Sequence, residues 1–331
     1  MRGLGIITVN FSRMVRNFRF KYITLSTLAL LKLIRLPNLL IIILTQYFTR
    51  IFLIGPKQQW TDHIANIDLF LLSLSTILIA SAGYIINDYY DIKIDTINRP
   101  KRIVVGKILK RRTAMGLHIV LNALGILIGV FLSVKIAVVN IFAGFLLWFY
   151  SNYLKRLPFI GNFIVAFLTT LVIGILAVYF QQNTVLIYTF VVFVFFISLI
   201  REIIKDLADM KGDIVFGCKT LPIIWGIRKT KYLLYGLTAI FIAALFSFIM
   251  LYFQWCQVCP PVGVGNDPIG MRPPDSQYQI PLAACFFTII LISISWFIFK
   301  LVSADTKQKY NYLSAVCKFI MLSGIIGMAV I

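Results

Sequence analysis

Nine long apolar stretches constrain the fold of this chain more than any other feature. A membrane-spanning helix needs about 20 predominantly apolar residues. Of the 331 residues, 60% are hydrophobic and 13% are charged, which excludes a soluble globule, a disordered chain and a disulfide-rich secreted module. We therefore predict an all-α integral membrane protein whose nine helices form a single bundle. The predicted spans are Leu36–Leu53, Leu69–Ile86, Ala114–Val134, Ile136–Tyr150, Phe159–Phe180, Val185–Ile204, Tyr232–Phe253, Pro281–Val302 and Tyr312–Ile331.

The basic residues are distributed unevenly around these spans. If the N-terminus lies inside, all but four of the 32 Lys and Arg residues fall on inner segments or their near flanks, and the exceptions are Arg50, Lys57, Lys135 and Arg272. Since inner loops of membrane proteins are enriched in Lys and Arg, we predict a cytoplasmic N-terminus and an outer C-terminus. The same topology accounts for the formal net charge of +20, so we do not expect a nucleic-acid partner.

Two segments outside the predicted spans differ in composition from the rest. Residues 1–35 are basic and lack the compact apolar core and cleavage site of a signal peptide, so we expect an amphipathic arm on the inner surface, followed by a bundle domain over residues 36–331. Cys256–Pro281 is rich in proline and glycine, which predicts an irregular outer loop. Its Cys256 and Cys259 lack further zinc ligands nearby, so the pair is structural, incidental or a local disulfide.

The acidic residues are concentrated in two matched clusters. Of the twelve carboxylates, seven follow the second span or end the sixth, and both clusters contain the spacing Asp-x-x-Asp-x-x-x-Asp. On a continuous helix this spacing places all three Asp side chains within about 60° of arc. Because both spans have even numbers, the clusters lie on the same side of the membrane. The seven residues are Asp88, Asp91, Asp95, Glu202, Asp206, Asp209 and Asp213.

Carboxylates on one helix face repel each other and need a counter-charge near hydrocarbon. Magnesium commonly binds one or two carboxylates together with the phosphate oxygens of a substrate. We therefore interpret the two clusters as a magnesium site around a diphosphate. The alternatives are solvated loops whose Asp residues pair with Lys and Arg, and the ion path of an ion-coupled transporter.

The motifs resemble those of the UbiA superfamily of intramembrane prenyltransferases, and the resemblance covers nearly the whole chain. It rests on both Asp motifs and on three short segments, which are Arg35–Asn38, Asn98–Pro100 and the Tyr150-Ser151-x-x-x-Lys155 pattern. The resemblance implies that an isoprenoid diphosphate binds with Mg²⁺ between the motifs while its tail lies in an apolar tunnel. The diphosphate then leaves, and an acceptor captures the allylic carbocation. A non-catalytic relative that only binds isoprenoid lipid is the further alternative.

The resemblance also implies residue roles. Expected around magnesium, directly or through water, are Asn87, Asp88, Asp91, Asp206, Asp209 and Asp213, with Asp95 as a ligand or as an organiser of its loop. Expected at the diphosphate are Arg35, Asn38, Lys93, Arg99, Arg102, Lys155 and Lys219, although inner-surface topology explains any single cation equally well. The Tyr150 ring is expected to contact the diphosphate, to face the carbocation or to be an ordinary interfacial aromatic.

The acceptor is predicted from the second motif. Arg201–Asp206, Gly212-Asp213 and Lys219–Pro222 are most similar to the digeranylgeranylglyceryl phosphate synthase branch. That branch transfers a geranylgeranyl group to the hydroxyl of geranylgeranylglyceryl phosphate. Related branches use aromatic quinone precursors such as 4-hydroxybenzoate, or tetrapyrroles, as acceptors. Lys101, Arg102, Lys107 and Lys110 are candidates for contacts with an acceptor phosphate.

Overall fold

The computed structural model describes residues 28–54, 60–182, 184–258 and 279–330. Within these residues, nine helices are long and apolar enough to cross a membrane, which confirms the predicted number of spans. We number them α1 to α9. They are α1 Leu36–Phe48, continued by a π-helical turn Thr49–Leu53, then α2 Ile67–Tyr90, α3 Arg111–Leu132, α4 Val134–Asn152, α5 Ile160–Phe180, α6 Val185–Val215, α7 Leu221–Val258, α8 Gln279–Val302 and α9 Lys307–Gly327.

Two predicted spans extend further than their apolar residues. Helix α6 continues from the apolar stretch through the acidic motif to Val215, and Gly212 therefore lies inside the helix. Helix α7 starts at Leu221 and is interrupted at Gly226, whose φ of 78° is readily adopted only by glycine. The polar turns of α6 are tolerated because their carboxylates find cationic or amide partners, on α6 itself or on neighbouring elements.

The first Asp motif is not carried by one continuous helix, so the single-face geometry that its spacing gives on a continuous helix does not extend past Asp91. Helix α2 ends at Tyr90, Asp91 follows as its cap, and a separate short helix spans Ile92–Asn98. The backbone N–H of Asp91 still donates to Asn87, and that of Asp95 to Asp91. The short helix packs against α6 and so brings the two motifs together.

Six of the nine helices form a closed ring. Helix α1 contacts α2, α2 contacts α4, α4 contacts α5, α5 contacts α6, α6 contacts α9, and α9 returns to α1. Helix α3 packs outside the ring on α2 and α4, whereas α7 and α8 pack on α6 and α9. The ring leaves an interior that the outer helices do not line.

Local sequence explains how adjacent helices are joined and held. Ser133 lies in extended conformation between α3 and α4 and accepts a hydrogen bond from the N–H of Ile136, so the two helices are joined by a tight turn. Inside the bundle, the Asn140 side chain donates to Ser75 Oγ at 2.6 Å and to the Gly125 carbonyl at 3.0 Å. This polar contact ties α4 to α2 and α3, in an interior where apolar burial alone does not drive helices together.

The outward faces are apolar. On α3, Phe131 and Val130 are exposed, and on α8, Ile292 and Phe299 are exposed. Large exposed apolar surfaces of this kind fit hydrocarbon rather than water. Residues 1–27 of the arm predicted over residues 1–35, and most of the Cys256–Pro281 loop, lie outside the described residues.

Candidate active site

The helix ring encloses a cavity of about 310 Å³ that both Asp motifs line. Asn87, Asp91 and Asp95 contribute from the first motif, and Asp206, Asp209 and Asp213 from α6. Chain segments nearly 120 residues apart in sequence thus share one wall. The cavity is the candidate active site.

Polarity changes along the cavity from one end to the other. The ends of α2 and α6 supply the carboxylates, together with Arg99, Lys155 and Lys205. One to three turns further into the helices the lining becomes predominantly apolar, with Thr76, Asn140 and Thr169 as polar members. The apolar lining includes Ile41, Ile42, Ile79, Ala80, Val139, Ala143, Leu147, Val165, Leu168, Leu171, Val172 and Ile175. This arrangement suits an amphiphile with an anionic head and a hydrocarbon tail.

Asp91 and Asp88 each face a cation at the first motif. Lys155, just after α4, forms an ion pair with the buried Asp91, whose other contact is a 2.9 Å hydrogen bond donated by Asn87 Nδ2. Arg35 binds Asp88 at 2.7 Å between NH2 and Oδ1. The two carboxylates are therefore neutralised by cations from two different segments, one before α1 and one after α4.

Arg35 is held in an unusual conformation. Its φ of 56° lies in the left-handed region that disfavours side-chain-bearing residues. The guanidinium carbon lies 4.8 Å from the Tyr84 ring centroid, and Asp88 fixes its outer nitrogen. Burial opposes its charge, but the nearby Asp88 carboxylate outweighs burial and raises the pKa of Arg35 above its ordinary value. Backbone strain of this kind is found preferentially at functional sites.

The second motif is organised by amides as well as cations. Arg99 forms an ion pair with Asp209, and Asn162 Nδ2 donates to Asp206 Oδ2 at 2.7 Å. Asn98 accepts a 3.0 Å hydrogen bond from the N–H of Gly212 and approaches Asp213 Oδ1 at 3.5 Å. Asn98 is thus the direct link between the short helix of the first motif and α6.

Glu202 lies one turn before Asp206 and is fully engaged. Arg201 NH1 lies 3.0 Å from Glu202 Oε1, and Lys205 Nζ lies 2.6 Å from Oε2. Because both oxygens already have cationic partners, Glu202 places two cations at the cavity wall rather than offering a free ligand. The predicted acidic face of α6 is therefore partly a platform for positive charge.

Burial also affects groups at the edge of the site. Burial and the neighbouring charge of Asp91 raise the pKa of Asp95 to about 6. Burial and then the charge of Asp213 raise the pKa of the Cys218 thiol. In both groups burial is the larger cause of the shift, and the charge of a neighbouring motif carboxylate adds to it.

The carboxylates fit magnesium. Among the described residues, no three His, Cys, Asp or Glu side chains converge closely enough to hold a metal ion alone. Magnesium does not need such a cage, since it binds through one or two carboxylates, water and substrate phosphates. Asp209 Oδ1 is buried without a hydrogen-bond partner, and Lys307 Nζ lies 3.7 Å away, beyond hydrogen-bond distance. The site therefore offers hard oxygen ligands, one of them without a hydrogen bond.

A model of the UbiA prenyltransferase family matches residues 52–272, which is more than half of the chain. The chain belongs to the UbiA prenyltransferase family. It is thus a prenyltransferase and, with its nine apolar helices, a multi-pass membrane protein. Membership of this family favours a prenyltransferase over an ion-coupled transporter and over a relative that only binds isoprenoid lipid.

Two relatives are similar to this chain over about three fifths of its length. The digeranylgeranylglyceryl phosphate synthase of Thermococcus gammatolerans is 38% identical over 199 residues, covering 60% of this chain and 68% of the relative. The enzyme of the same name from Sulfurisphaera tokodaii is 34% identical over 198 residues, covering 59% of this chain and 70% of the relative.

Solved structures share the UbiA fold. A structure described as digeranylgeranylglyceryl phosphate synthase superposes with a TM-score of 0.62 at 23% identity, over 91% of this chain and 96% of its own. A UbiA homologue from Archaeoglobus fulgidus bound to GPP and Mg²⁺ superposes with a TM-score of 0.61 at 16% identity, over 91% and 99% of the two chains. At these sequence identities, the similarity to the solved structures shows a shared fold only.

Most site residues predicted from the UbiA motifs meet in the cavity. Its lining contains the six motif residues above and also Arg35, Asn38, Arg99, Tyr150 and Lys155. Asp88 lies behind the wall against Arg35, and Arg102 lines an adjacent cavity. Lys93 and Lys219 are exposed and line neither.

Three polar residues at the site were not singled out from the sequence. Asn162 binds Asp206, Lys307 approaches Asp209, and Lys318 donates to Asn38 Oδ1 at 3.2 Å. Asn162 and Lys318 are isolated polar residues in apolar spans, a signal that marks functional positions in membranes. Lys307 begins a span and carried no such signal.

Proposed function

We propose that this protein transfers a geranylgeranyl group from its diphosphate to the hydroxyl of geranylgeranylglyceryl phosphate, with magnesium as the cofactor. The single observation that carries the proposal is the cavity itself, which has two carboxylate motifs and several cations at one end and apolar walls at the other. The names of the similar synthases support the phosphorylated acceptor. A quinone-precursor aromatic or a tetrapyrrole is the alternative acceptor.

The proposed reaction is an alkyl transfer. The bond between C1 of the prenyl chain and the diphosphate oxygen breaks, and its electron pair leaves with the diphosphate. A lone pair of the acceptor hydroxyl oxygen forms the new C–O bond at C1, and the hydroxyl proton passes to the leaving diphosphate or to a cavity carboxylate. The products are an ether and diphosphate.

The polar end of the cavity binds the head of the donor in this proposal. Asn87, Asp91, Asp206, Asp209 and Asp213 would hold magnesium, with Asp95 beside them. Magnesium, when bound, supplies Lewis-acid stabilisation of the charge that develops on the leaving group. We propose that the diphosphate oxygens replace the carboxylates as partners of the nearby cations, chiefly Arg35, Arg99 and Lys155.

The apolar end binds the tail and excludes water. Ile79, Ala143, Leu147 and Leu168 offer no group that could capture a carbocation. The exclusion of water favours capture by the acceptor hydroxyl over hydrolysis. The Tyr150 ring lies where polar and apolar walls meet, and we assign it the role of facing the allylic cation.

The proposed topology follows the basic residues. The N-terminus and both Asp motifs would be cytoplasmic and the C-terminus outside, with residues 1–35 as an arm and residues 36–331 as the bundle. Single cysteines introduced at Lys107 and Lys135 test the orientation in sealed vesicles. An impermeant thiol reagent should label the second from outside and the first only after permeabilisation.

Transfer by the purified protein tests the function. Radiolabelled geranylgeranyl diphosphate and geranylgeranylglyceryl phosphate should give an ether lipid only with magnesium present. The Asp91→Asn and Asp206→Asn variants should each lose about 100-fold or more in turnover, as expected when electrostatic stabilisation of a transition state is removed. The matched control is Asp305→Asn, which alters an exposed carboxylate outside the cavity. Normal transfer by the double variant Asp91→Asn/Asp206→Asn would contradict the proposal.

A further inference from the structure

A second cavity of about 720 Å³ adjoins the first near the start of α1. Its walls come from the residues before α1, the segment after the short helix, the end of α6 and the middle of α9. We call it the basic pocket. Its lining comprises Leu31, Lys32, Arg35, Pro37, Asn38, Arg99, Pro100, Lys101, Arg102, Arg201, Lys205 and Lys318.

The basic pocket carries a large excess of positive charge. Among the described residues, its wall contains no Asp or Glu. Arg35, Arg99, Arg201 and Lys205 have carboxylate partners behind the wall. The other four cations have none in the described part of the chain, and they are Lys32, Lys101, Arg102 and Lys318.

Individual groups in the wall also lack partners. The Nε–H groups of Arg35 and Arg201 are buried and make no hydrogen bond to the described residues. Burial and then the charge of Arg35 lower the pKa of the half-buried Arg102. Buried N–H donors without partners cost free energy unless a ligand or water satisfies them. The wall is thus suited to an acceptor-rich anion.

The basic pocket adjoins the active-site cavity and shares part of its wall. Six residues line both, and they are Arg35, Asn38, Arg99, Arg201, Lys205 and Lys318. An anion in the basic pocket would therefore lie beside the head of the donor, separated from it by shared cations. Those cations would offset the repulsion between two neighbouring phosphate groups.

The lining of the basic pocket argues against a tail site. Its apolar members are Leu31 and the two prolines Pro37 and Pro100, whereas the long apolar wall belongs to the first cavity. A phosphate monoester carries nearly two negative charges at neutral pH and accepts several hydrogen bonds. In a glyceryl phosphate, two carbon atoms separate this group from the free hydroxyl, so its phosphate has to lie close to the reaction centre.

We propose that the basic pocket binds the phosphate monoester of the acceptor lipid and thereby selects a phosphorylated acceptor. This inference rests on the proposed transferase function and extends it. Lys101 and Arg102, which line only this pocket, bind the phosphate on the side away from the active-site cavity. Lys318 binds it from α9. The acceptor hydroxyl is then directed into the active-site cavity, where the prenyl C1 lies.

A cycle of variants and acceptors tests the proposal. Wild type and Lys101→Gln/Arg102→Gln are assayed with geranylgeranylglyceryl phosphate and with its dephosphorylated counterpart, which keeps the hydroxyl. The double variant should raise the KM for the phosphorylated acceptor about tenfold or more, as loss of a charged hydrogen bond predicts. The KM for the donor should change less than about twofold. The rate of transfer to the neutral acceptor, which is slower in wild type, should also change less than about twofold.

Two further variants separate charge from folding. Lys101→Arg/Arg102→Lys keeps both charges and should retain most of the acceptor affinity. Arg112→Gln/Lys229→Gln removes two exposed cations that line neither cavity and should behave as wild type. All variants are compared for abundance and thermal midpoint in detergent.

Each other outcome overturns the inference. An equal rise in the donor KM would assign the pocket to the diphosphate, and equal effects on both acceptors would exclude recognition of the phosphate. If anionic vesicles stimulate wild type but not the variant, with acceptor KM unchanged, the pocket binds bulk lipid headgroups. Failure of the wild type to use the phosphorylated acceptor would instead refute the proposed function, and the assignment of the basic pocket would fail with it.

Discussion

Lys155 forms an ion pair with Asp91, and this contact joins the end of α4 to the end of α2 at the mouth of the cavity. The carboxylate is a proposed magnesium ligand and the ammonium a proposed diphosphate contact. Without substrate, each group thus neutralises the other. Binding of donor and metal requires that this pair separate. Lys155 therefore opposes magnesium binding at Asp91 while it favours binding of the donor diphosphate.

Replacing Lys155 should change the affinities for magnesium and for the donor in opposite directions. In Lys155→Met, Asp91 loses its competing cation, so the magnesium concentration for half-maximal activity should fall, while the donor KM should rise about tenfold or more. Steady-state kinetics with magnesium and donor varied separately measure both. Lys211→Met, at an exposed position on α6 outside both cavities, is the control. A parallel rise of both constants would contradict the pair as a competing contact.

Asp95 should reduce stability at neutral pH. Its folded-state pKa of about 6 lies above the ordinary value of 3.8, so the ionised carboxylate is disfavoured in the folded protein. The penalty is present above pH 6 and disappears as pH falls toward 3.8. Asp95→Asn should therefore raise the thermal midpoint in metal-free buffer at pH 7.5, with a smaller gain at pH 5.

The same change should weaken magnesium binding. Below pH 6, the wild type should also need more magnesium, because protonation removes the charge of Asp95. Asp305→Asn is the control, since Lys309 lowers the pKa of that carboxyl and its replacement should give no gain in stability. A lower midpoint for Asp95→Asn at pH 7.5 would show that the carboxylate stabilises the fold.

Asn162 should position Asp206. The amide donates to the carboxylate at 2.7 Å, and Asn162→Ala removes this donor without adding charge. We expect turnover to fall about tenfold, with protein abundance unchanged. Asn162→Asp should be worse, because it places a second carboxylate beside the first. Asn152→Ala, at an exposed amide at the end of α4, should match wild type in the same assay.

Gly212 should be required for the contact between the two motifs. A Cβ at this position would lie 2.5 Å from the Asn98 side chain, which is far too close. Gly212→Ala should lower stability by about 1–3 kcal/mol and reduce activity, as overpacking does. Gly236→Ala is the control, because a Cβ there meets nothing within 4 Å.

A double variant identifies the cause at Gly212. Gly212→Ala/Asn98→Ala removes the clashing amide, so thermal stability should recover relative to Gly212→Ala. Activity should not recover, since Asn98 no longer binds the Gly212 N–H or approaches Asp213. Recovery of both would mean that Asn98 acts only by occupying space.

The sequence alone determined the class of the protein and predicted the chemistry of its site. Spans of about 20 apolar residues have to be helical in a bilayer, because every backbone polar group needs an internal partner. Asp-x-x-Asp-x-x-x-Asp occurs twice in a chain with few acids, which predicted the metal–phosphate chemistry. These features are local, so pattern and spacing suffice to recognise them.

Only the tertiary structure decided which groups face each other. Asn162 meets Asp206, Lys155 meets Asp91, and Lys318 reaches Asn38 because the ring of six helices closes. The break at Asp91, which turns Asp95 onto a separate helix, likewise depends on packing of Ile92–Asn98 against α6. The basic pocket is assembled from four distant segments, and no local pattern records such an arrangement. Its physical origin is long-range helix packing, which places unpaired cations side by side.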